Sequence, residues 1–405
     1  MPGPHYTHPI ATPIAAAEYR ARRDRLLGHP ETTDVDGFVW WGNHRVFYLC
    51  GFAFAPTERP IALLMRRGGE TVLFVPRLEV EHAEAYANVD RVVAYPEYPD
   101  VTHPMTHLTK LLRELGLTSA FGGDGDGAPR VMGYRGPKLS EASGASFVAL
   151  DDVLEATMQV KSPAEIALIR ESAYWAGRAH RLLQDATSVG RTETEVEMEA
   201  GAGATAELLA AYRGAYRALS WGGSGPFATY RGQIGAHSAL PHSLNVNAVF
   251  AAGDTLVTGA SCPMFGYWSE LERTMFIGDP SVEQGIYFGH MLALQDLAID
   301  ACRAGRTCSS VDGAVRDYFA EHDLGDAWRH HTGHNVGIRY HEGPFLDVGD
   351  DTVMESGMLF TVEPGLYVPG LGGFRHSDTI VVTDDEPEFL TDYPRDLDRL
   401  VLDAA

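Results

Sequence analysis

Lysine is almost absent from this chain. Among 405 residues there are three, Lys110, Lys138 and Lys161, so nearly all of the 32 basic side chains are arginine. Set against 55 acidic residues they leave a net charge of −23, which argues against nucleic acid or an anionic membrane as a partner. An acidic, lysine-poor composition is also what a halophilic protein needs to stay hydrated in concentrated salt. Cysteine is scarce: Cys50, Cys262, Cys302 and Cys308 form no Cys-x-x-Cys pair, so neither a zinc site nor a disulfide framework is expected. Reduced thiols fit a cytoplasmic protein. No apolar run reaches the roughly 18 residues of a membrane span. The opening Met-Pro-Gly-Pro-His lacks the basic segment and apolar run of a signal peptide.

What is present is an ordinary globular composition in a chain too long for one core, which predicts two domains. Up to about residue 157, helices alternate with short apolar or β-branched runs. The pattern predicts a helix over 13–28 and strands at Gly37–Trp41, Arg45–Leu49, Ile61–Arg66 and Thr71–Pro76. A helix at Leu78–Ala87, a strand at Arg91–Tyr95 and a helix at Met105–Leu115 follow, with strands at Arg130–Tyr134 and Ser146–Leu150. Near Met158-Gln-Val-Lys-Ser-Pro163 the pattern changes. Ser162 is placed to cap a long helix whose first position is Pro163, and a second helix begins near Thr192. Strands then dominate to Ile277, helices return at 282–304 and 309–321, and the last quarter reads as strand and loop. The expected class is α/β (α+β), with domains at 1–157 and 158–405.

Four stretches carry chemistry. In Gly253–Thr274, two strands, Thr255–Thr258 and Leu271–Ile277, flank Gly266-Tyr267-Trp268, and Glu270 and Glu272 stand two residues apart. That spacing puts both carboxylates on one face of a strand, a costly arrangement unless a cation or a proton sits opposite. Histidines 330, 331, 334 and 341 fall among glycines in Arg329–Pro344, a setting suited to proton transfer or metal binding, and His334 and His341 stand beside its turn glycines. Farther on, Glu363 ends the apolar run Met358–Val362 at a tight turn, and Gly372–Thr383 runs from a glycine turn into a strand.

Taken in order, these stretches read Ala-Leu-Pro-His242, Gly253-Asp254, Gly266-Tyr-x-Ser-Glu270-x-x-Arg-Thr274, Thr332-Gly-His334-x-x-Gly337, His341-Glu-x-Pro344, Glu363-Pro-Gly365 and Gly373-x-Arg375-x-x-Asp-Thr379. The set resembles the pita-bread family, which includes methionine aminopeptidase, aminopeptidase P, prolidase and creatinase. The likeness spans 162–383. Trp41–Gly51 and Glu58-Arg59-Pro60 resemble the creatinase-type N-terminal domain. The resemblance therefore implies a creatinase-like α/β domain followed by a pita-bread domain, and a homodimer.

Metallopeptidases of that family hold two ions with two Asp, one His and two Glu. Carried over position by position, these fall at Gly259, Glu270, His334, Glu363 and Ser377, so two of the five lack a ligand. The pattern Pro-Met…Phe-Gly-Tyr before Leu-Glu-Arg-Thr is locally closest to creatinase, a metal-independent hydrolase. That likeness implies Glu272 and Glu363 as catalytic residues that polarise the substrate and His242 as the proton carrier. It implies His334 and His341 as pocket walls, and Arg59 as a carboxylate clamp offered to the partner subunit. Ectoine hydrolase is a further metal-poor relative, whose nucleophile would be Glu272 or Glu270.

The reading is thus a hydrolase of a C–N bond in a small nitrogenous or dipeptide substrate, with no cofactor expected. If a single divalent cation (Mn, Fe, Co or Zn) were bound, its ligands would be Glu270, His334 and Glu363. The alternatives are a metal-dependent Xaa-Pro dipeptidase or aminopeptidase P-like enzyme, a lyase acting on a sulfonium osmolyte, and a non-catalytic binding module.

Overall fold

The computed structural model describes residues 11–404 and divides into two compact units, Ile14–Met158 and the chain from Gln159 onward. The first unit is built on a six-stranded sheet. Its strands are β1 (Gly37–Trp40), β2 (Ala62–Arg66), β3 (Thr71–Pro76), β4 (Arg91–Tyr95), β5 (Ala120–Gly123) and β6 (Ser146–Ala149), in the order β4-β3-β2-β1-β5-β6. The pairs β1/β2 and β2/β3 are antiparallel, while the crossover pairs β3/β4, β1/β5 and β5/β6 are parallel. Val39, Leu64, Val72, Phe74 and Phe121 pack from the sheet onto Leu108, Leu111, Leu112 and Leu115 of the helix Pro104–Leu115.

Two expected strands of this unit are absent. Asn43–Cys50 is a helix ended by Gly51 at φ 76°, whose N–H is donated to the Phe47 carbonyl. Val46, Phe47, Tyr48, Leu49 and Cys50 are all buried, and such a short apolar run carries no periodicity to separate helix from strand. Arg130–Tyr134 is a turn, with the Tyr134 N–H bonded to the Val131 carbonyl.

The second unit opens as its sequence predicts. Ser162 accepts from the Glu165 N–H while Glu165 accepts from the Ser162 N–H, so a capping box starts the helix Pro163–Ala186. Thr192 and Glu195 do the same for the helix Glu193–Tyr212. The strands that carry the site come before and after the later helices Val282–Ala301 and Cys308–Glu321. They are β7 (Phe227–Thr229), β8 (Thr255–Val257), β9 (Gly259–Ser261), β10 (Leu271–Glu272), β11 (Thr274–Ile277), β12 (Gly333–Asn335), β13 (Glu342–Leu346), β14 (Leu359–Val362), β15 (Gly365–Val368), β16 (Gly372–Arg375) and β17 (Ser377–Val381). The principal sheet runs β14-β17-β10-β9-β7, and β8 and β11 pair in a separate one.

The expected strand Leu271–Ile277 is therefore two strands in two sheets, divided at Arg273. Its guanidinium is wholly buried and donates to the carbonyls of Ser377, Tyr393 and Pro394 and to Asp378. The opposite chain crosses over at the same level. Thr258 Oγ1 accepts from the Arg273 N–H at 3.0 Å and donates to the Arg273 carbonyl at 3.1 Å. Both strands thus change sheets with the Thr258 N–H, the Arg273 N–H and the Arg273 carbonyl all paired. Among the described residues no helix is long and apolar enough to cross a membrane.

Candidate active site

One row across the principal sheet organises the site. Glu272 on β10 stands opposite Ser377 on β17. The β9/β10 register, Ala260 opposite Leu271, places Gly259 on its other side. Glu272 is flanked by the two positions where the resemblance put missing ligands, and its own carboxylate extends into that space. A Cβ on Gly259 would lie 3.4 Å from Glu272 Oε1 and 3.6 Å from Arg231 Cζ. Glu270 lies two residues earlier, on the same face as expected. Its Oε1 accepts from Ser377 Oγ at 2.7 Å, and its backbone is tied at both ends to Thr379 Oγ1.

Glu363 follows β14, its N–H held by the Thr332 carbonyl at 2.8 Å. His334 on β12 is fully buried. Its strand is pressed against β14 so closely that a Cβ on Gly333 would come 2.0 Å from the Thr361 carbonyl oxygen, so only glycine fits there. His334 Nδ1 donates to the Asn335 carbonyl at 3.0 Å, which turns Nε2 toward the carboxylates, 3.2 Å from Glu363 Oε1 and 4.0 Å from Glu270 Oε2. Neither contact is aligned as a hydrogen bond, and this buried nitrogen has no partner. Oxygens of Glu270, Glu272 and Glu363 lie within 4.8 Å of one another, as do ligand atoms of Glu270, His334 and His341.

The electrostatics follow from that crowding. Burial, with Glu363 and Glu272 close by, pushes the Glu270 carboxyl up to about 8. Burial opposes charge on His334 too, but the carboxylates of Glu363 and Glu270 outweigh it and raise the imidazole to about 9. Burial also works against the ionised Glu363, yet His334 and Arg375 hold it well below the usual carboxylate range. Both shifts favour the protonated forms, as expected where buried carboxylates crowd together with no cation between them.

His341 stacks on His334 with ring centroids 3.8 Å apart and faces solvent. Packing against the site wall, together with the charge on His334, lowers it to about 4. His242 is exposed and within electrostatic reach of His341. Arg59, in the first unit, spends its guanidinium on Glu97 at 2.7 Å and on Glu58.

Sequence reasoning missed three residues. Arg375 grips Glu272 through Nε and, at 2.8 Å, through Nη2, and its Nη1 donates to Tyr367 at 2.8 Å. It stood in the Gly-x-Arg motif, but that motif does not say which carboxylate it meets. Arg231 Nη2 donates to Glu272 Oε1 at 2.7 Å and to Gln233 at 3.2 Å, from a backbone at φ 53°. Tyr340 packs beside His341 with ring centroids 6.1 Å apart, and burial with the charges of Glu270 and Glu272 pushes its phenol far above its ordinary range. No motif marked either one.

The loop carrying Arg231 and His242 is pinned by buried Glu193, whose carboxylate accepts from the N–H groups of Gly232 and Val246 at 2.8 Å and of Ala248 at 3.0 Å. Glu193→Ala removes the acceptor from all three. It is expected to cost on the order of 3 kcal/mol in urea unfolding and to weaken substrate binding through the loosened loop. Unchanged stability would contradict this anchoring.

Comparison with known proteins finds likenesses over both units. The profile described as metallopeptidase family M24 matches residues 167–384, and that of the creatinase/prolidase N-terminal domain matches 22–159. The chain is 30% identical over 386 residues to a probable dipeptidase, PepE, of Mycobacterium tuberculosis, covering 94% of this chain and 96% of that protein. It is 27% identical to an Xaa-Pro dipeptidase of Pyrococcus horikoshii, covering 92% and 97%. The solved Xaa-Pro dipeptidase of Bacillus anthracis superposes with a TM-score of 0.79 at 26% identity, covering 95% of this chain and all of that one.

Two expectations are thereby corrected. The absence of a cofactor is overturned: the match to a metallopeptidase family, joined to a buried imidazole and carboxylates within 4.8 Å, points to a divalent metal. The donor set fits, since an imidazole nitrogen and carboxylate oxygens are what such ions take. The creatinase-like, metal-independent hydrolysis falls with it, because these relatives are named as dipeptidases. Local likeness around Glu272 misled because it reflects how the row Gly259–Glu272–Ser377 is filled.

Proposed function

Because this chain belongs to metallopeptidase family M24, we propose that it is a metal-dependent dipeptidase that cleaves dipeptides with proline in the second position. The observation that supports the metal is His334 Nε2, buried, without an aligned hydrogen bond and set between Glu270 and Glu363. The peptide preference is supported by the Xaa-Pro dipeptidases among its relatives.

Glu270, His334 and Glu363 would hold the divalent ion. When bound, such an ion polarises the scissile carbonyl and acidifies water near neutral pH. The remaining work belongs to the chain. Asn335 fixes the His334 ring through Nδ1, and Ser377 and Thr379 fix Glu270. Arg375 holds Glu272 in place and stands 3.9 Å from Glu363 Oε2. His341 and His242, both exposed beside the cluster, are placed to line the substrate and carry a proton to the departing nitrogen.

The test is hydrolysis of Ala-Pro, Ala-Ala and creatine by protein stripped with a chelator and then supplied with Mn, Co, Fe or Zn. Proline release from Ala-Pro should vanish on stripping and return with metal. Turnover that survives stripping, or none with any dipeptide, would overturn the proposal.

A further inference from the structure

The carboxylate cluster is unevenly furnished. On the side of Glu270, His334 and Glu363, the buried Nε2 of His334 has no partner. On the side of Glu272, two guanidiniums already meet one carboxylate. Arg375 approaches from the end of β16, and Arg231 Nη2 arrives at 2.7 Å from the loop after β7. The space they use is the space that Gly259 and Ser377 leave in the row, since a Cβ on Gly259 would sit 3.6 Å from Arg231 Cζ. Arg375 and Glu272 are each about 3% exposed, and planar guanidinium–carboxylate pairing of this kind is strong and geometrically fixed. Arg231 takes up a left-handed backbone at φ 53° to reach Glu272, a cost that needs compensation from the contacts it makes.

We propose that Arg231 and Arg375, closed on Glu272, act as a built-in organic cation in the Gly259/Ser377 half of the centre, so that metal enters only the Glu270–His334–Glu363 half. This rests on the metal-dependent reading above. Each chain then takes one ion, and Arg231 is the residue that keeps a second out. Charge supports the division. A further dication beside Glu272 would have to displace two guanidiniums from the carboxylate they share, and neither Gly259 nor Ser377 offers a carboxylate to replace it.

The experiment is metal content by elemental analysis, with Mn(II) electron paramagnetic resonance, on protein equilibrated with Mn(II) and freed of excess by gel filtration. One Mn per chain with an uncoupled spectrum is expected. Two per chain with the coupled spectrum of a close pair overturns the inference and leaves the metalloenzyme reading standing. None overturns both. The triple variant Arg231→Gly, Gly259→Asp and Ser377→Glu should rise to two coupled ions when circular dichroism shows it folded. A folded triple variant that still holds one ion overturns the role given to Arg231. If the triple variant does not fold, the wild-type count decides.

Discussion

Replacing His334 with alanine should remove the bound divalent ion and lower Ala-Pro turnover roughly a thousandfold, the equivalent of about 4 kcal/mol of transition-state stabilisation. The size of the effect follows from how this imidazole is set. Its Nδ1 is committed to the Asn335 carbonyl, its ring is stacked on His341, and its Nε2 is the one nitrogen between Glu270 and Glu363. Its position is fixed, because β12 is held against β14 by the close approach at Gly333. Since His334→Ala also opens a cavity, Glu363→Gln serves as its near-isosteric companion. It should lose metal to a similar degree while unfolding close to wild type. Elemental analysis and initial rates check both. Wild-type turnover in a metal-free His334→Ala protein would contradict the account.

The second large effect is on stability. Lys161, one of three lysines in the chain, is buried, and its Nζ lies 2.8 Å from Glu342 Oε2, with both side chains 2% exposed. Glu342 also accepts the Arg339 N–H at 2.9 Å. Burial opposes its charge, but Lys161 holds its carboxyl below the ordinary value. Lys161→Met keeps the bulk and removes the close partner of the buried Glu342 charge, leaving it the longer contact with Arg339 Nε at 3.8 Å, which should cost on the order of 3 kcal/mol. For a unit of this size that is a fall of roughly 10 °C in Tm. Adding Glu342→Gln should recover much of the loss, because the stranded charge is then gone. A Lys161→Met protein within about 1 kcal/mol of wild type would show that the pair contributes little. Because Glu342 directly follows His341, the single variant should also impair turnover.

The sequence was most legible where a local rule decides the outcome. The capping box at Ser162 and Glu165 and the alternation of the first unit could be read directly. The motif order also picked out Glu270, His334 and Glu363, which the fold brings close together. It was least legible where the outcome depends on what arrives from elsewhere. Residues 43–50 became a helix because tertiary burial, not periodicity, decides for so short an apolar run. The run Leu271–Ile277 divides at Arg273 because the acceptors of that guanidinium lie at Ser377, Asp378, Tyr393 and Pro394, more than a hundred residues away. Glu272 shows the same limit at the site. In the sequence it looks like a catalytic carboxylate, and only the register that sets it between Gly259 and Ser377 shows why it meets two arginines. Arg231 had no motif at all, since its importance comes from a left-handed backbone on a loop that Glu193 pins down.

The central claim is that Glu270, His334 and Glu363 hold a divalent ion, and crystals grown with Mn(II) test it most directly through anomalous scattering. The account predicts an anomalous peak within coordinating distance of His334 Nε2 and of one carboxylate oxygen each from Glu270 and Glu363. A map with no peak there at saturating Mn(II), and His334 instead hydrogen-bonded to Glu363, would contradict it.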